Sequence, residues 1–279
     1  MFPTIAGCGA ILLWSFLALL SRAAGGIPPL QVTAMAFAVS AVFGMGVVVA
    51  RGRMAALRQP AIVWAHGVGG LAGFHALYFA SLRLAPPAEA NLLNYLWPLL
   101  IVLFAAPVLG MRLSLRHLLG AALAAGGCLL LLGGRLEGVV SPLVWLGYAM
   151  ALGSAVTWGL YSVFARRLAA VPTEAVAGFC AASAVVTLLA HLLLETTVLP
   201  DGVGWLAVLA LGLGPLGGAF YLWDIGMKRG DPRLLGTLAY ATPVASTLLL
   251  VLFGFAPATL ALLLAAVLVA GGGLLAARA

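Results

Sequence analysis

The chain has 279 residues, of which 64% are hydrophobic and 8% are charged. Soluble proteins carry about 45–50% apolar and about 25% charged residues, so this chain has too few charges to cover a surface that faces water. The composition excludes a soluble domain, a disordered chain, a collagen and a disulfide scaffold. It predicts an all-α polytopic membrane protein, because lipid leaves open backbone groups unsatisfied.

The net charge of +7 does not indicate a nucleic-acid partner. The 14 basic residues are scattered singly or in small groups between apolar runs, and no aromatic platform accompanies them. Cys8, Cys128 and Cys180 stand alone in apolar stretches, as small buried hydrophobic residues do. We therefore expect no nucleic-acid binding, no metal site and no cofactor.

Apolar runs of about the 20 residues that a helix needs to cross a bilayer recur along the chain. The first run, Pro3 to Ser21, follows no positive segment and exceeds a signal-peptide core, so it predicts a membrane span. Ten transmembrane helices are predicted in chain order, over residues 3–21, 31–50, 61–82, 86–108, 115–133, 142–165, 174–194, 203–227, 232–253 and 258–277. The connections are too short for a separate soluble domain.

The distribution of basic residues predicts the orientation in the membrane. Loops after odd-numbered spans carry only Arg22, Arg83 and Arg135, whereas the other 11 of the 14 basic residues lie after even-numbered spans or at the C-terminus. Because basic residues concentrate in cytoplasmic loops, both termini are expected in the cytoplasm. The outer side is also predicted to hold Glu137, Glu195 and Asp201.

The two halves of the chain align with each other. A shift of 145 residues pairs Pro87 with Pro232, Tyr95 with Tyr240, Pro98 with Pro243 and Gly126–Gly127 with Gly271–Gly272. A shift of 144 pairs Trp14 with Trp158, Arg22 with Arg166 and Pro28 with Pro172. Chance and shared membrane composition are the alternative explanation. The pattern predicts a first five-helix repeat over 1–136 and a second over 137–279. Since five is odd, the second repeat is inverted, an arrangement typical of secondary transporters.

Two proline-containing segments resemble a known transporter family. Residues 86–98 read PPAEANLLNYLWP, and residues 231–243 repeat the pattern as DPRLLGTLAYATP. These segments and the 5+5 layout are similar to the drug/metabolite transporter superfamily, in its EamA-type branch. Within that branch the chain looks like bacterial exporters of aromatic amino acids. The resemblance implies export of small metabolites across the inner membrane.

Polar and aromatic residues inside the predicted spans are candidates for a substrate site, because such side chains usually face a bundle interior or a cavity. They recur on single helix faces, at spacings of three, four and seven residues. The predicted cavity residues are Trp14, His75, Tyr78, Asn91, Asn94, Tyr95, Trp158, Tyr161 and Tyr240. Asn91 and Asn94 have a packing role as their alternative. Trp64 and Trp97 are predicted to face lipid or the bilayer interface.

Asp224 and two prolines carry separate predictions. Asp224 either pairs with Lys228 or Arg229 near the cytoplasmic end of its span, or it binds a proton or an amine. Pro98 and Pro243 interrupt their helices at matching places, so they are predicted hinges.

The function predicted first is a secondary transporter that exports small metabolites, with aromatic or large apolar amino acids as substrates, by alternating access through a cavity between the repeats. The alternatives are export of other metabolites or cationic drugs, and a membrane scaffold that transports nothing. No Walker A, HExxH or GxSxG motif occurs, so neither ATP-driven transport by this chain alone nor an enzyme is expected. The expected partners are a small-molecule substrate and the lipid bilayer. We consider the chain as a monomer, and the sequence does not determine the oligomeric state.

Overall fold

The fold was analysed in a computed structural model, which describes residues 2–110, 112, 114–136, 141–229, 235 and 238–278. Every regular element in these ranges is a helix. The first six α-helices are α1 Phe2–Ser15, α2 Leu17–Ala23, α3 Pro29–Ala50, α4 Ala61–Leu84, α5 Pro87–Asn94 and α6 Trp97–Leu109. The others are α7 Leu115–Leu136, α8 Pro142–Arg167, α9 Ala175–Leu194, α10 Gly202–Leu213, α11 Ala219–Arg229, α12 Ala241–Leu252 and α13 Leu260–Ala277. A 3₁₀ turn forms at Met54–Leu57 and a π-helical segment at Gly214–Gly218.

Within the described ranges, six segments are long and apolar enough to cross a membrane, which confirms the polytopic membrane class. They are Pro3–Ala23, Pro29–Ala50, Pro87–Leu109, Pro142–Arg167, Ala175–Leu194 and Gly202–Gly226. Two shorter apolar helices follow, Ala241–Leu252 and Leu260–Leu275. The count of ten stays a prediction, and most of the predicted start of span 9, residues 232–234 and 236–237, lies outside the described residues.

The surface of the bundle suits lipid rather than water. Large apolar side chains stand outward on many helices; Leu193 is 82% exposed and Val42 is 78% exposed. A soluble protein rarely leaves apolar area of this extent uncovered, whereas lipid tails solvate it. The interior, in contrast, contains most of the intramembrane hydroxyl, amide and imidazole groups.

Two helix breaks lie just ahead of the predicted hinge prolines. α5 ends at Asn94 and α6 begins at Trp97, while α12 begins directly after a turn at Tyr240. A proline has no N–H to donate, and its ring clashes with the carbonyl four residues earlier, so the helical ladder opens ahead of it. The breaks come at corresponding places before Pro98 and Pro243. Their role as hinges remains a prediction.

The helices of the two halves pack against each other in reciprocal pairs. α7 lies along α13, α3 along α9, α4 along α8 and α1 along α11. A Cβ added at Gly127 would lie 2.9 Å from the Ala265 carbonyl oxygen, and one at Gly272 would lie 2.4 Å from that of Gly120. Positions 120 and 265, like 127 and 272, are 145 residues apart. The contact from α7 to α13 is therefore repeated in the reverse direction, with glycine at both close approaches.

Candidate substrate-binding site

Six aromatic rings meet at the centre of the bundle. The Trp14 ring centre lies 5.5 Å from that of Trp158 and 5.0 Å from that of Trp223, with the ring planes steeply inclined. Edge-to-face packing of this kind is the arrangement that aromatic quadrupoles favour. We call this set the aromatic cluster; it consists of Trp14, Phe74, Trp97, Trp158, Phe220 and Trp223. All six rings are buried.

The aromatic cluster surrounds a small central cavity. Its lining consists of Trp14, Leu17, Phe74, Asn94, Tyr95, Trp97, Trp158 and Phe220. The free volume is about 20 Å³, on a scale where one water needs roughly 10–15 Å³. The rings therefore close almost completely on one another, and a molecule larger than water enters only when they separate.

Residues that match across the predicted repeat contact each other at this cavity or directly beside it. Trp14 and Trp158 correspond at a shift of 144, and their ring centres are 5.5 Å apart. His75 and Phe220 correspond at a shift of 145, and theirs are 5.5 Å apart. In a repeat related by a twofold axis, matching residues of the two halves can contact each other only near that axis. The cavity thus lies where the two halves of the chain meet.

The indole of Trp14 is fixed by a hydrogen bond to the neighbouring span. Its Nε1–H donates to the carbonyl oxygen of Pro215 at 3.1 Å. Pro215 belongs to the π-helical segment, whose wider turn re-aims the backbone carbonyls. A Cβ at Gly217 would lie 2.2 Å from the Gly212 carbonyl oxygen, so the widened turn requires glycine there. π-helical turns of this kind often mark functional positions.

His75 lies behind the cavity wall, among aromatic rings. Its Nδ1–H donates to the Leu71 carbonyl oxygen at 2.9 Å, and Nε2 has no partner among the described residues. The imidazole is 1% exposed and lies 4.7 Å from the Phe74 ring, centre to centre. The structure thus places His75 next to the aromatic cluster, but not in the cavity lining.

The two asparagines connect helices. The Tyr78 hydroxyl donates to Asn91 Oδ1 at 2.7 Å, and Asn91 Nδ2 donates to Ser246 Oγ at 3.1 Å. The Ser154 hydroxyl donates to Asn94 Oδ1 at 2.7 Å. These bonds join α4, α5, α8 and α12, as polar residues do between membrane helices. Asn94 also lines the cavity, whereas Tyr78 stacks behind Phe74 with ring centres 5.8 Å apart.

The three other predicted tyrosines lie in different places. Tyr95 lines the cavity, with its hydroxyl 3.5 Å from the Trp14 carbonyl oxygen. Tyr161 stacks on Trp158 at 5.0 Å and extends the aromatic cluster away from the cavity. Tyr240 is buried elsewhere, against Gly273, where an added Cβ would lie 1.8 Å from the ring. The structure therefore does not bring Tyr240 to the site.

Asp224 lies on α11, and the half-buried carboxylate accepts a hydrogen bond from the hydroxyl of Thr173. Thr173 belongs to the connection between α8 and α9, so the bond ties this connection to α11. The predicted partner Lys228 has a side chain outside the described residues.

Four members of the aromatic cluster were absent from the predicted site. Trp97 was expected at lipid or the interface, which is wrong, because it is 4% exposed and lines the cavity. Its ring packs against those of Trp14, Trp158 and Trp223, and these contacts come from other helices, which the pattern of its own span does not show. The internal repeat pointed to two others, Phe220 and Trp223, because a shift of 145 residues matches them with the predicted site residues His75 and Tyr78. Phe74 lies one helical turn before Tyr78.

The sequence profile of the EamA-like transporter family matches residues 1–133 and 145–278, which is nearly the whole chain. The chain belongs to this family. The resemblance drawn from the segments 86–98 and 231–243 is thereby confirmed. As a family member with many apolar helices, the chain is a multi-pass membrane transporter with a small-molecule substrate.

Relatives and solved structures agree with this family. The aromatic amino acid exporter YddG of Ancylobacter novellus is 54% identical over 96% of this chain and 94% of its own length. The aromatic amino acid exporter YddG of Salmonella typhimurium is 27% identical over 98% of this chain and 95% of its own length. A solved crystal structure with 53% identity covers 98% of this chain and 96% of its own, with a TM-score of 0.80.

Proposed function

We propose that the chain exports aromatic and large apolar amino acids through the central cavity. The observation that carries the proposal is the aromatic cluster, which closes around a cavity at the meeting point of the two halves. The names of the two exporters similar to this chain point to the same substrate class. We infer that the substrate ring takes a position among these rings when they separate.

The chemistry of the lining suits such a substrate. An aromatic pair contributes about 0.5–1.5 kcal/mol beyond buried area. An ammonium group over an aromatic face gains about 0.5–2 kcal/mol. The part of the lining that the structure describes holds no charged side chain, so Asn94 and Tyr95 supply its polar contacts. Recognition in the cavity then depends mainly on the ring and less on the charges of the substrate.

The proposed mechanism is alternating access by an inverted 5+5 repeat. The two segments matched by the family profile, 1–133 and 145–278, support a repeat with these halves. The reciprocal glycine contacts of α7 and α13 support a twofold relation between them. A closed cavity on the twofold axis opens to one side of the membrane or the other when the packing of one half changes. The breaks before Pro98 and Pro243 and the π-helical segment are places where helices bend.

Asp224 is proposed to receive the ammonium group of the substrate on the cytoplasmic side of the cavity. It lies one turn beyond Phe220 on α11, directly after Trp223, and is half-buried. A carboxylate near an aromatic cavity adds direct charge attraction for an amine. Replacement of Asp224 by Asn is expected to weaken export of amino acids while it leaves tryptophan analogues without an amine unaffected.

Flux through purified protein in liposomes tests the proposal. All amino acids are screened, together with an aromatic cation, with and without a pH gradient. We expect tryptophan and phenylalanine to move faster than alanine or threonine, and the pH gradient reveals whether protons are coupled. Preference for the cation over every amino acid would favour drug export. An absence of flux for all solutes would indicate a scaffold and refute the proposal.

The predicted topology is tested by labelling of single cysteines. Residues 51–60 and the C-terminus are expected to react from the cytoplasmic side, and the 196–202 loop from the outer side. Labelling of that loop from the cytoplasm alone would contradict the inverted repeat.

A further inference from the structure

A second pocket lies near the ends of α2 and α4. Its lining consists of Ser21, Arg22, Gly25, Ile27, Pro29, Val32, Phe79, Leu82 and Arg83. We call it the outer vestibule. Ser21 follows Leu17 of the central cavity by one turn of α2, and Phe79 follows His75, which lies beside the aromatic cluster, by one turn of α4. The outer vestibule therefore lies one helical turn from the region of the central cavity, toward the end of the bundle predicted to face outward.

Two arginines line the outer vestibule, where the sequence otherwise avoids positive charge. Only three of the 14 basic residues are predicted on the outer side, and two of them, Arg22 and Arg83, face one pocket. The positive-inside rule concerns topology and gives no reason to place arginines together at this end. Their shared position in one pocket indicates that they serve a ligand.

Neither arginine is neutralised by a carboxylate in the part of the chain that the structure describes. Arg83 Nη1 donates to the Ile27 carbonyl oxygen at 2.9 Å, which uses one of its five N–H donors. The Nε of Arg22 is buried without a partner, and its guanidinium carbon lies 5.8 Å from the centre of the Phe255 ring. Both side chains therefore keep donors for an anion.

Two acidic residues predicted on the same side are engaged elsewhere. Glu195 accepts hydrogen bonds from the backbone N–H groups of Leu30 and Gln31 at 3.1 and 3.2 Å, at the start of α3. Asp201 caps α10 by accepting from the Gly204 N–H at 2.7 Å. The third predicted outer acid, Glu137, lies outside the described residues. Within the ranges that the structure describes, the arginines of the outer vestibule have no carboxylate partner, so their charge is available to a ligand.

We propose that the outer vestibule binds the carboxylate of the exported amino acid as it leaves the central cavity, through N–H donors of Arg22 and Arg83. This inference rests on the proposed function and adds the group that recognises the charged end of the substrate. Guanidinium groups suit carboxylates because several parallel donors meet the two oxygens. The central cavity has no charged side chain in its described lining, so the outer vestibule offers the carboxylate cations that the cavity lacks.

Paired substrates with and without a carboxylate test the proposal. Tryptophan and tryptamine share the indole and the amine, and only tryptophan has the carboxylate. Purified Arg22→Gln, Arg83→Gln and Arg83→Lys variants are compared in liposomes with Arg58→Gln, a control at an exposed arginine on the predicted cytoplasmic side. We expect each Gln variant to lower tryptophan flux about threefold to tenfold with tryptamine flux unchanged. Arg83→Lys, which keeps the charge, should recover part of the loss, and Arg58→Gln should match the unaltered protein.

Inhibition from the outer face gives a second measurement that does not need tryptamine to be transported. Indole-3-acetate, a carboxylate without an amine, should inhibit tryptophan flux in the unaltered protein and inhibit both Gln variants at least threefold less. An equal loss for tryptophan and tryptamine, or unchanged inhibition in both variants, would overturn the proposal and assign the arginines to packing. If the unaltered protein transports neither solute, the proposed function fails. If the unaltered protein transports tryptophan and the Gln variants behave as it does, only the proposal for the outer vestibule is refuted.

Discussion

Tyr95 and Tyr240 occupy the same place in the two halves of the sequence, yet their surroundings differ. Each precedes its proline by three residues and lies at a helix break. Tyr95 lines the central cavity with its hydroxyl beside the Trp14 backbone. Tyr240 is 2% exposed, packs against Gly273 and has a hydroxyl without a partner among the described residues.

The difference shows what a repeated motif determines and what it leaves to the surrounding helices. The proline sets the break in both halves, because its effect on the backbone is local. The surroundings of the tyrosine side chain then depend on the neighbouring helix, whose sequence differs between the halves. Position 273 is glycine, whereas its match at position 128 is cysteine. Alternating access requires two halves that share a backbone pattern but pack differently. When the halves exchange these two arrangements, the cavity opens to the opposite side of the membrane.

The largest expected effect comes from filling the space that Tyr240 occupies. Gly273→Ala places a methyl group 1.8 Å from the ring as it now stands, so Tyr240 must move. We expect tryptophan flux to fall more than tenfold, because overpacking costs about 1–3 kcal/mol in the arrangement that it disfavours. Gly271→Ala is the matched control on α13, where nothing lies within 4 Å of the added atom.

The double variant Gly273→Ala/Tyr240→Ala separates the ring from the helix contact. Its flux should rise to the level of Tyr240→Ala alone if the clash with Tyr240 causes the loss. An equal loss in Gly271→Ala, or no recovery in the double variant, would contradict the account of this half.

Truncation of each tyrosine tests whether Tyr95 and Tyr240 have different roles. Tyr95→Ala removes a ring from the cavity lining, so tryptophan flux should fall about tenfold and alanine flux should change less than twofold. Tyr240→Ala removes a ring from packing, so the flux of both amino acids should fall by a similar factor. Flux per folded molecule, with monodispersity checked by gel filtration, is the measurement. The reverse pattern would mean that Tyr240 contacts the substrate.

The sequence predicts much of the backbone and part of the site. Membrane class, helix order and the breaks before Pro98 and Pro243 follow from composition and local sterics. The structure brings Trp14, Trp158 and Tyr95 together at one cavity, and the sequence pointed to them as aromatic residues in the middle of spans. Trp97 was misplaced because an indole in an apolar span faces lipid or protein according to the helices that surround it, and this packing is not visible in the sequence of one span.

The predicted hinges give a smaller effect with opposite signs in the two halves. Pro98→Ala and Pro243→Ala restore an N–H to each ladder and favour a straighter helix. Each should change the labelling rate of a cysteine placed at the outer vestibule by about twofold to fivefold. One substitution should raise the rate and the other should lower it, since the halves are inverted. Shifts of the same sign would leave the prolines with a packing role only.

The smallest expected effect concerns the hydrogen bond between spans 1 and 8. Trp14→Phe keeps an aromatic ring but removes the Nε1–H that donates to the Pro215 carbonyl oxygen. A bond of this kind contributes about 1 kcal/mol, so flux should fall about twofold to fivefold for all substrates. Trp205→Phe, at an indole 49% exposed on α10, is the control and should leave flux unchanged. Equal flux in the two variants would show that the bond does not position the indole.

The central claim is that the aromatic cluster recognises the ring of the exported amino acid, and Trp158 tests it most directly. Its ring lies within 5.0–6.4 Å, centre to centre, of Trp14, Phe74, Trp97, Tyr161 and Phe220. The measurement is flux of tryptophan and of alanine per folded molecule through Trp158→Ala in liposomes, at low substrate. The account predicts a loss of about threefold to thirtyfold for tryptophan with alanine nearly unchanged, because only tryptophan offers a ring to stack. An equal loss for both amino acids would contradict it.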